Sequence, residues 1–382
     1  MTGSNRKRVA VFVTGAFVQR DYLEAVSGHV QIALKAAQIL AHAGHDVTLI
    51  TTKGEGTECL PEDVTDGLEV CVVPHATRSW PTHRVYAGQA LRQVFCLRAL
   101  LRRRRFDVVH FFGGMATGLL LGLLRRTGVS STAFYTPIKR PPAWRSRARL
   151  GVMRWALRRV RYVVPTADDV ASGWASLLGR PCAAVAHPGI VKQVAPAPDG
   201  AARKIVLFWR NADYENGADL ALQAFRDLAP AYPEVRFVFA VRPGERYEKD
   251  LLLLERETDN IDVHIYPYAE GVSLTSLLHD ARFAVQPFRS LSINPQMSVL
   301  ETLCADVPVI ATAIESNDEV VRHEVNGLLI RPDSVETLSE AIERLLNDAT
   351  LLAALSRNAR SHTEQKWNWA SFGQDLLRAY HE

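Results

Sequence analysis

Little in the 382-residue chain points to disulfides, metals or membrane spans. Its five cysteines, Cys59, Cys71, Cys96, Cys182 and Cys304, are scattered, odd in number and never spaced as CxxC. That spacing argues against a disulfide framework and a zinc site and fits a reducing, cytoplasmic setting. The longest apolar run, Gly113 to Leu124 ("GGMATGLLLGLL"), is too short to span a bilayer and ends in Arg125 and Arg126. The opening "MTGSNRKRVAVFVTGAF" has a basic head but only a short apolar segment before Arg20 and Asp21. Val9–Val13 therefore reads as a first β-strand and not as a secretory signal. No short repeat or low-complexity tract is present, and 47% hydrophobic with 23% charged residues is an ordinary globular composition. The length exceeds what one compact core takes and suits two domains.

The net charge of +4 conceals two opposed halves. Residues 1–195 hold 27 Lys and Arg against 12 Asp and Glu, or +15, so the remainder has 45 − 27 = 18 basic and 41 − 12 = 29 acidic residues, or −11. A domain boundary near residue 195 follows, with the Pro/Ala-rich "QVAPAPDGAAR" (Gln193 to Arg203) as linker. The expected division is 1–194, 195–360 and a terminal segment 361–382. Apolar strands alternate with helical periodicity in both halves. The first has strands at Val9–Val13, Val47–Thr51, Leu68–Val73, Val108–Phe112, Ser131–Tyr135, Tyr162–Pro165 and Ala183–His187, with helices at His29–Ala43 and Ala90–Arg105. The second has strands at Lys204–Trp209, Val235–Val241, Ile261–Ile265, Phe283–Pro287 and Val307–Ala311. Its helices fall at Gly217–Leu228, Lys249–Glu257, Ser273–His279 and Val335–Asn347. This alternation predicts an α/β protein of two doubly wound, Rossmann-like domains, each a parallel sheet covered by helices on both faces. Ligands in such sheets sit beyond the carboxyl ends of the strands, here in a central cleft faced by the two domains.

One stretch reads oddly for ordinary packing: "RSLSINPQMSVLETLCADVPVIAT", Arg289 to Thr312. A polar loop ends at Asn294, a good helix N-cap, and Pro295 suits a first helical position. A helix starting there turns unpaired N–H groups toward an anion such as phosphate. Glu301 follows about two turns later on the same face, placed to accept hydrogen bonds from vicinal hydroxyls.

The residues from Ser298 to Asp348 resemble the donor domain of GT-B glycosyltransferases, in particular family 4. Glu301 matches the second of that family's two glutamates, which holds the nucleotide ribose. The first glutamate, which contacts the transferred sugar, is replaced by Ile293, so Ser292, Asn294 or loop N–H groups would take its place. "VLFWRNADYENGADLALQAF" (Val206 to Phe225) resembles the family's diphosphate-clamping segment, with Arg210 on its arginine and Asn216 on its lysine. Arg242, Arg289 and Lys139 are the cations that could compensate. "EAVSGHVQIALKAAQILAHAGHDVTLIT" (Glu24 to Thr51) resembles the family's glycine-rich entry, with Gly28 as the residue admitting the diphosphate. In "FDVVHFFGG" (Phe106 to Gly114), His110 matches a histidine at a strand end that reaches the donor sugar. "AHPGIV" (Ala186 to Val191) resembles the hinge entry, and Lys366 to Tyr380 the helix that crosses back to the first domain.

The resemblance implies a metal-independent, cofactor-free enzyme that moves a sugar from a UDP-, GDP- or dTDP-linked donor to a small-molecule, glycan or lipid-linked acceptor hydroxyl, with retained anomeric configuration. The runs Arg102–Arg105 and Lys139–Arg161 give a basic face that fits either an anionic inner membrane surface or a solvated or acceptor-matching surface. Nucleic acid is not expected, because no stacking platform or DNA-reading motif accompanies the arginines. Three other readings stand beside this one. They are an inactive sugar-nucleotide binding protein, motivated by Ile293 and Asn216, a polyanion-binding protein on an incidental fold, and a sugar-nucleotide epimerase.

Overall fold

A computed structural model describes residues 6–13, 17–19, 28–53, 57–59, 67–74, 87–112, 129–132, 162–190, 203–291 and 293–381. Lys139–Arg161, Ser292 and the Gln193–Ala202 part of the linker lie outside them. The contacts divide the chain into two units, Met1–Pro188 with Trp369–Glu382, and Gly189–Asn368.

The first unit holds strands β1 (Arg8–Val13), β2 (Phe17–Gln19), β3 (Asp46–Lys53), β4 (Thr57–Cys59), β5 (Glu69–Pro74), β6 (Val108–Phe112), β7 (Val129–Thr132) and β8 (Val163–Val164). Helices α1 (Gly28–His42), α2 (Ala87–Arg104), α3 (Asp168–Leu178) and the C-terminal α11 (Trp369–His381) belong to the same unit. Six strands form a sheet in the order β5-β3-β1-β6-β7-β8, and all of its pairings are parallel. β2 and β4 pair antiparallel apart from it. Val9 to Val13 are fully buried, as an apolar strand covered on both faces must be. The strand expected at Ala183–His187 does not form. Instead Ala183 N–H donates to Val163 O and Ala186 N–H to Pro165 O, which satisfies that segment without a ladder. The expected Ser131–Tyr135 strand begins earlier, as β7.

The second unit holds β9 (Ile205–Trp209), α4 (Ala218–Leu228), β10 (Arg236–Val241), α5 (Glu248–Glu257), β11 (Ile261–Ile265), α6 (Leu274–Asp280), β12 (Ala281–Gln286) and α7 (Met297–Leu303). After these come β13 (Val309–Thr312), α8 (Asn317–Val320), β14 (Gly327–Ile330), α9 (Val335–Asn347) and α10 (Ala349–Lys366). Its sheet, β11-β10-β9-β12-β13-β14, is parallel throughout. Side chains alternate between two cores. Val206, Phe208, Phe237 and Phe239 pack against α4, α5 and α9 residues, while Leu207, Trp209, Val238 and Ala240 pack on the opposite side with Leu277 and Leu278 of α6. Phe225 of α4 locks the first core, its ring 5.0 Å from Phe237 and 4.8 Å from Phe239.

Each sheet starts at a central strand and reverses beside it, between β1 and β6 and between β9 and β12. That reversal opens a crevice at the carboxyl ends of the strands, where doubly wound sheets bind ligands. Among the described residues no helix is long and apolar enough to cross a membrane.

A candidate active site at the switch point of the second unit

The loop after β9 runs from Arg210 into a tight turn. Asp213 Oδ1 accepts from the Asn216 backbone N–H at 2.8 Å and from its side-chain amide at 2.6 Å. Gly217 then takes φ +71°, a conformation that costs other residues strain. A Cβ at Gly217 would stand 2.1 Å from the Pro287 carbonyl oxygen. Glycine here lets the β9–α4 turn lie directly on the end of β12, closing one wall of the crevice.

The loop after β12 is fastened to the same turn. Arg289 N–H donates to Glu215 O at 2.9 Å. Its guanidinium grips both oxygens of Asp219 at 2.6 and 3.0 Å, reaches Asp333 Oδ1 at 2.7 Å and Tyr214 O at 2.8 Å, and lies 3.8 Å above the Tyr214 ring. Four of its five N–H donors are thus taken by the protein's own acceptors, and two carboxylates balance its charge. Arg289 is therefore a loop clamp and does not replace the missing lysine. Thr312 Oγ1 donates to Phe288 O at 2.6 Å and fixes the loop from the β13 side.

Asn294 does not cap α7. The helix begins at Met297, Gln296 precedes it with no side-chain cap, and the Asn294–Pro295 peptide is cis. The Asn294 amide is instead spent across the crevice wall. Its Oδ1 accepts from the Ser316 hydroxyl at 2.6 Å and backbone N–H at 3.2 Å, and its Nδ2 donates to Glu315 at 3.1 Å. It is fully buried and shares no helical face with Glu301, and Ile293 beside it is buried as well. Ser292 lies outside the described residues.

α7 is anchored by a buried polar network. Trp209 Nε1–H donates to Thr302 Oγ1 at 2.9 Å, Gln286 Nε2 to the same oxygen at 3.2 Å, and Ser298 Oγ to Gln286 Oε1 at 3.1 Å. Thr302 in turn donates to Ser298 O at 2.8 Å, so each hydroxyl has its partners. Ser298 and Thr302, one turn apart, face the sheet. Six of the seven α7 residues are buried, and the only one that is not is Glu301.

Arg210 is the cation that Glu301 acts on. Burial and the neighbouring Arg242 push the Arg210 pKa down to about 10, against the pull of Glu301, Asp213 and Glu245. Its Nε is buried and has no hydrogen-bond partner among the described residues. A desolvated donor left open in this way suits an incoming anion. Arg242 follows β10 and is exposed at the same crevice. Sequence reasoning missed Asp213 and Glu245, because "RPGE" after β10 reads as an ordinary turn.

The first unit holds the other two candidates. Gly28 is the first residue of α1. His110 is not at a strand end; it is the third residue of β6, fully buried, stacked on Phe112 at 4.9 Å, with Nδ1 2.7 Å from the Tyr380 hydroxyl of α11. From there it ties the sheet to the C-terminal helix and reaches no surface. Burial pushes its pKa from 6.5 down to about 3, so the folded protein keeps it neutral while an unfolded chain protonates it below 6.5. Its contribution to stability is present above pH 6.5 and lost as pH falls toward 3. His110→Asn should flatten the acid side of a plot of thermal midpoint against pH between 6.5 and 4. A variant as steep as the wild type would refute that assignment.

Residues 27–189 match the model of the glycosyl transferase 4-like domain, and residues 191–362 that of glycosyl transferases group 1. An uncharacterized glycosyltransferase of Methanocaldococcus jannaschii is 25% identical over 179 residues, 46% of this chain and 44% of that protein. The matches span half or less of the length of the curated relatives. By structure, sucrose-phosphate synthase of Thermosynechococcus elongatus aligns with a TM-score of 0.78 at 17% identity over 98% of each chain. Anabaena HepE in complex with UDP and glucose aligns at 0.74 and 14% identity, over 99% of this chain and 100% of that one. These two likenesses are likenesses of fold. With a 4-like domain followed by a group 1 domain on two Rossmann-like sheets, the chain belongs to the GT-B glycosyltransferases of the family 4 type.

Proposed function

We propose that this glycosyltransferase moves a sugar from a nucleoside-diphosphate donor to an acceptor hydroxyl with retention of anomeric configuration. The observation that carries the donor reading is Glu301. It is the single partly exposed residue of an otherwise buried helix, held by Trp209, Gln286, Ser298 and Thr302, beside a half-buried arginine with an open donor. In this reading Glu301 accepts from the ribose hydroxyls, as acidic residues do in dinucleotide folds. Arg210, helped by Arg242, steadies the negative charge that grows on the departing diphosphate. Asn216 shapes the turn through Asp213 and adds no charge, so the site works with fewer cations than the family pattern provides. The sugar contact expected of His110 is withdrawn. No metal or cofactor is part of this proposal, because Arg210 and Arg242 supply the positive charge.

The acceptor is a small-molecule, glycan or lipid-linked hydroxyl, and the donor base is uridine, guanosine or thymidine. The exposed Arg102, Arg103, Arg104 and Arg105 at and just after the end of α2 are the described part of the basic face that would meet an anionic membrane or acceptor. Glu301→Ala should weaken donor binding about ten- to a hundredfold, the loss of a charge-assisted hydrogen-bond pair, with little change in thermal midpoint. Titration calorimetry checks this. The test of the function itself is turnover: the protein with UDP-glucose, GDP-mannose or dTDP-glucose should release the nucleoside diphosphate, slowly to water and faster with an acceptor. The initial product, observed by NMR, should keep the donor's anomeric configuration. Binding without any release would leave a sugar-nucleotide binding protein in its place.

A further inference from the structure

The crevice contains a second open group, of opposite charge to Arg210. Glu245 stands in the loop between β10 and α5, which is docked to the β9–α4 loop by Tyr247 N–H donating to Ala212 O at 3.0 Å. Gly244 takes φ +76° ahead of it and gives its N–H to Glu248, so the turn fixes where Glu245 points. Glu245 Oε1 is buried and, among the described residues, has no hydrogen-bond partner. Four charged groups act on it: Asp213 and Arg210 from the β9–α4 loop, and Arg242 and Glu248 from its own turn. Among the described residues, the crevice thus couples a half-buried carboxyl whose Oε1 has no partner to an arginine whose buried Nε has none, each acting on the other's charge.

We propose that Glu245 is a donor-site residue that takes up a proton when a sugar nucleotide binds and, as the neutral acid, donates a hydrogen bond to the diphosphate held by Arg210. This rests on the donor-site reading of Glu301 and Arg210. Empty, the site balances its arginines against Asp213 and Glu245. An arriving diphosphate brings negative charge to the same arginines and repels the carboxylate. The least costly resolution is a proton on Glu245, which removes the repulsion and turns an acceptor into a donor. The free protein is already near that point, since burial first and Asp213 next raise the Glu245 pKa to about 7 against the pull of Arg242 and Arg210. Bound anion raises it further. Donor affinity should therefore be steady below pH 7 and fall as pH rises above it, by at most about tenfold per pH unit.

The probes are UDP-glucose, GDP-mannose and dTDP-glucose, whose diphosphate diesters do not titrate between pH 6 and 9. Calorimetry at pH 7.5 in two buffers of different ionisation enthalpy reads protons taken up per donor bound. The wild type should take up about half a proton or more, and Glu245→Gln, whose amide donates without titrating, none. Glu245→Gln should also bind about as tightly at pH 8.5 as at pH 6.5. Donor binding by the wild type with no proton uptake, or equal uptake by Glu245→Gln, would overturn the assignment of Glu245 and leave the donor site standing. If none of the three sugar nucleotides binds, the donor-site reading falls and this inference with it.

Discussion

Arg210→Ala is expected to lower kcat/KM for sugar transfer by about a hundred- to a thousandfold, the range for losing one preorganised donor to a developing oxyanion. The thermal midpoint should stay level or rise slightly. The two expectations have one cause. Arg210 is held with its Nε desolvated and without a partner, beside Arg242, an arrangement that costs the folded state and is relieved only by an anion. Removing the side chain therefore removes a cost in the empty protein and an asset in the loaded one. Arg210→Lys should recover part of the rate, since a point charge replaces the planar fork without its geometry. A variant that loses stability and activity together would mean that Arg210 is a structural residue.

Gly217→Ala is expected to have the largest effect on stability, about 3 kcal/mol, or roughly 5–10 °C in the unfolding of the second unit. Two terms add. A non-glycine residue at φ +71° costs about 1 kcal/mol or more. The new Cβ would also lie 2.1 Å from Pro287 O and 2.9 Å from its carbonyl carbon, so backbone must move. Because Arg210 and Asn216 belong to the same turn, donor binding should fail with it. Gly244→Ala is the matched control: its φ is +76°, but nothing lies within 4 Å of an added Cβ, so only the backbone term applies. Thermal unfolding of the two variants should separate them by about 2 kcal/mol, and equal losses would refute the close approach to Pro287.

Most of the fold was legible because its signals are local. Val206 to Trp209 fill both cores of a parallel sheet and read as one apolar run, and Gly217 announces the start of α4. Glu301 was legible as a single carboxylate in an apolar frame, and α7 does bury everything around it. The misreadings have long-range causes. Asn294 has the local grammar of a helix cap, yet its partner Ser316 stands 22 residues on, across the crevice. Arg289 resembles a spare cation until Asp219, Asp333 and Tyr214 are brought to it by the fold. His110 was matched by resemblance to a histidine at a strand end, whereas it lies mid-strand and its partner Tyr380 comes from the far end of the chain. Glu245 was invisible because its meaning depends on β10 lying beside β9, which no pattern within the β10–α5 turn encodes.

The central claim, that Glu301 and Arg210 form the donor site, is tested most directly by binding of UDP-glucose, GDP-mannose and dTDP-glucose to the wild type and Glu301→Ala, followed by titration calorimetry. At least one of the three should bind the wild type, and Glu301→Ala should bind that same donor about ten- to a hundredfold more weakly while unfolding at an unchanged temperature. Equal affinity of the two proteins for the donor, or no binding of any of the three to the wild type, would contradict it.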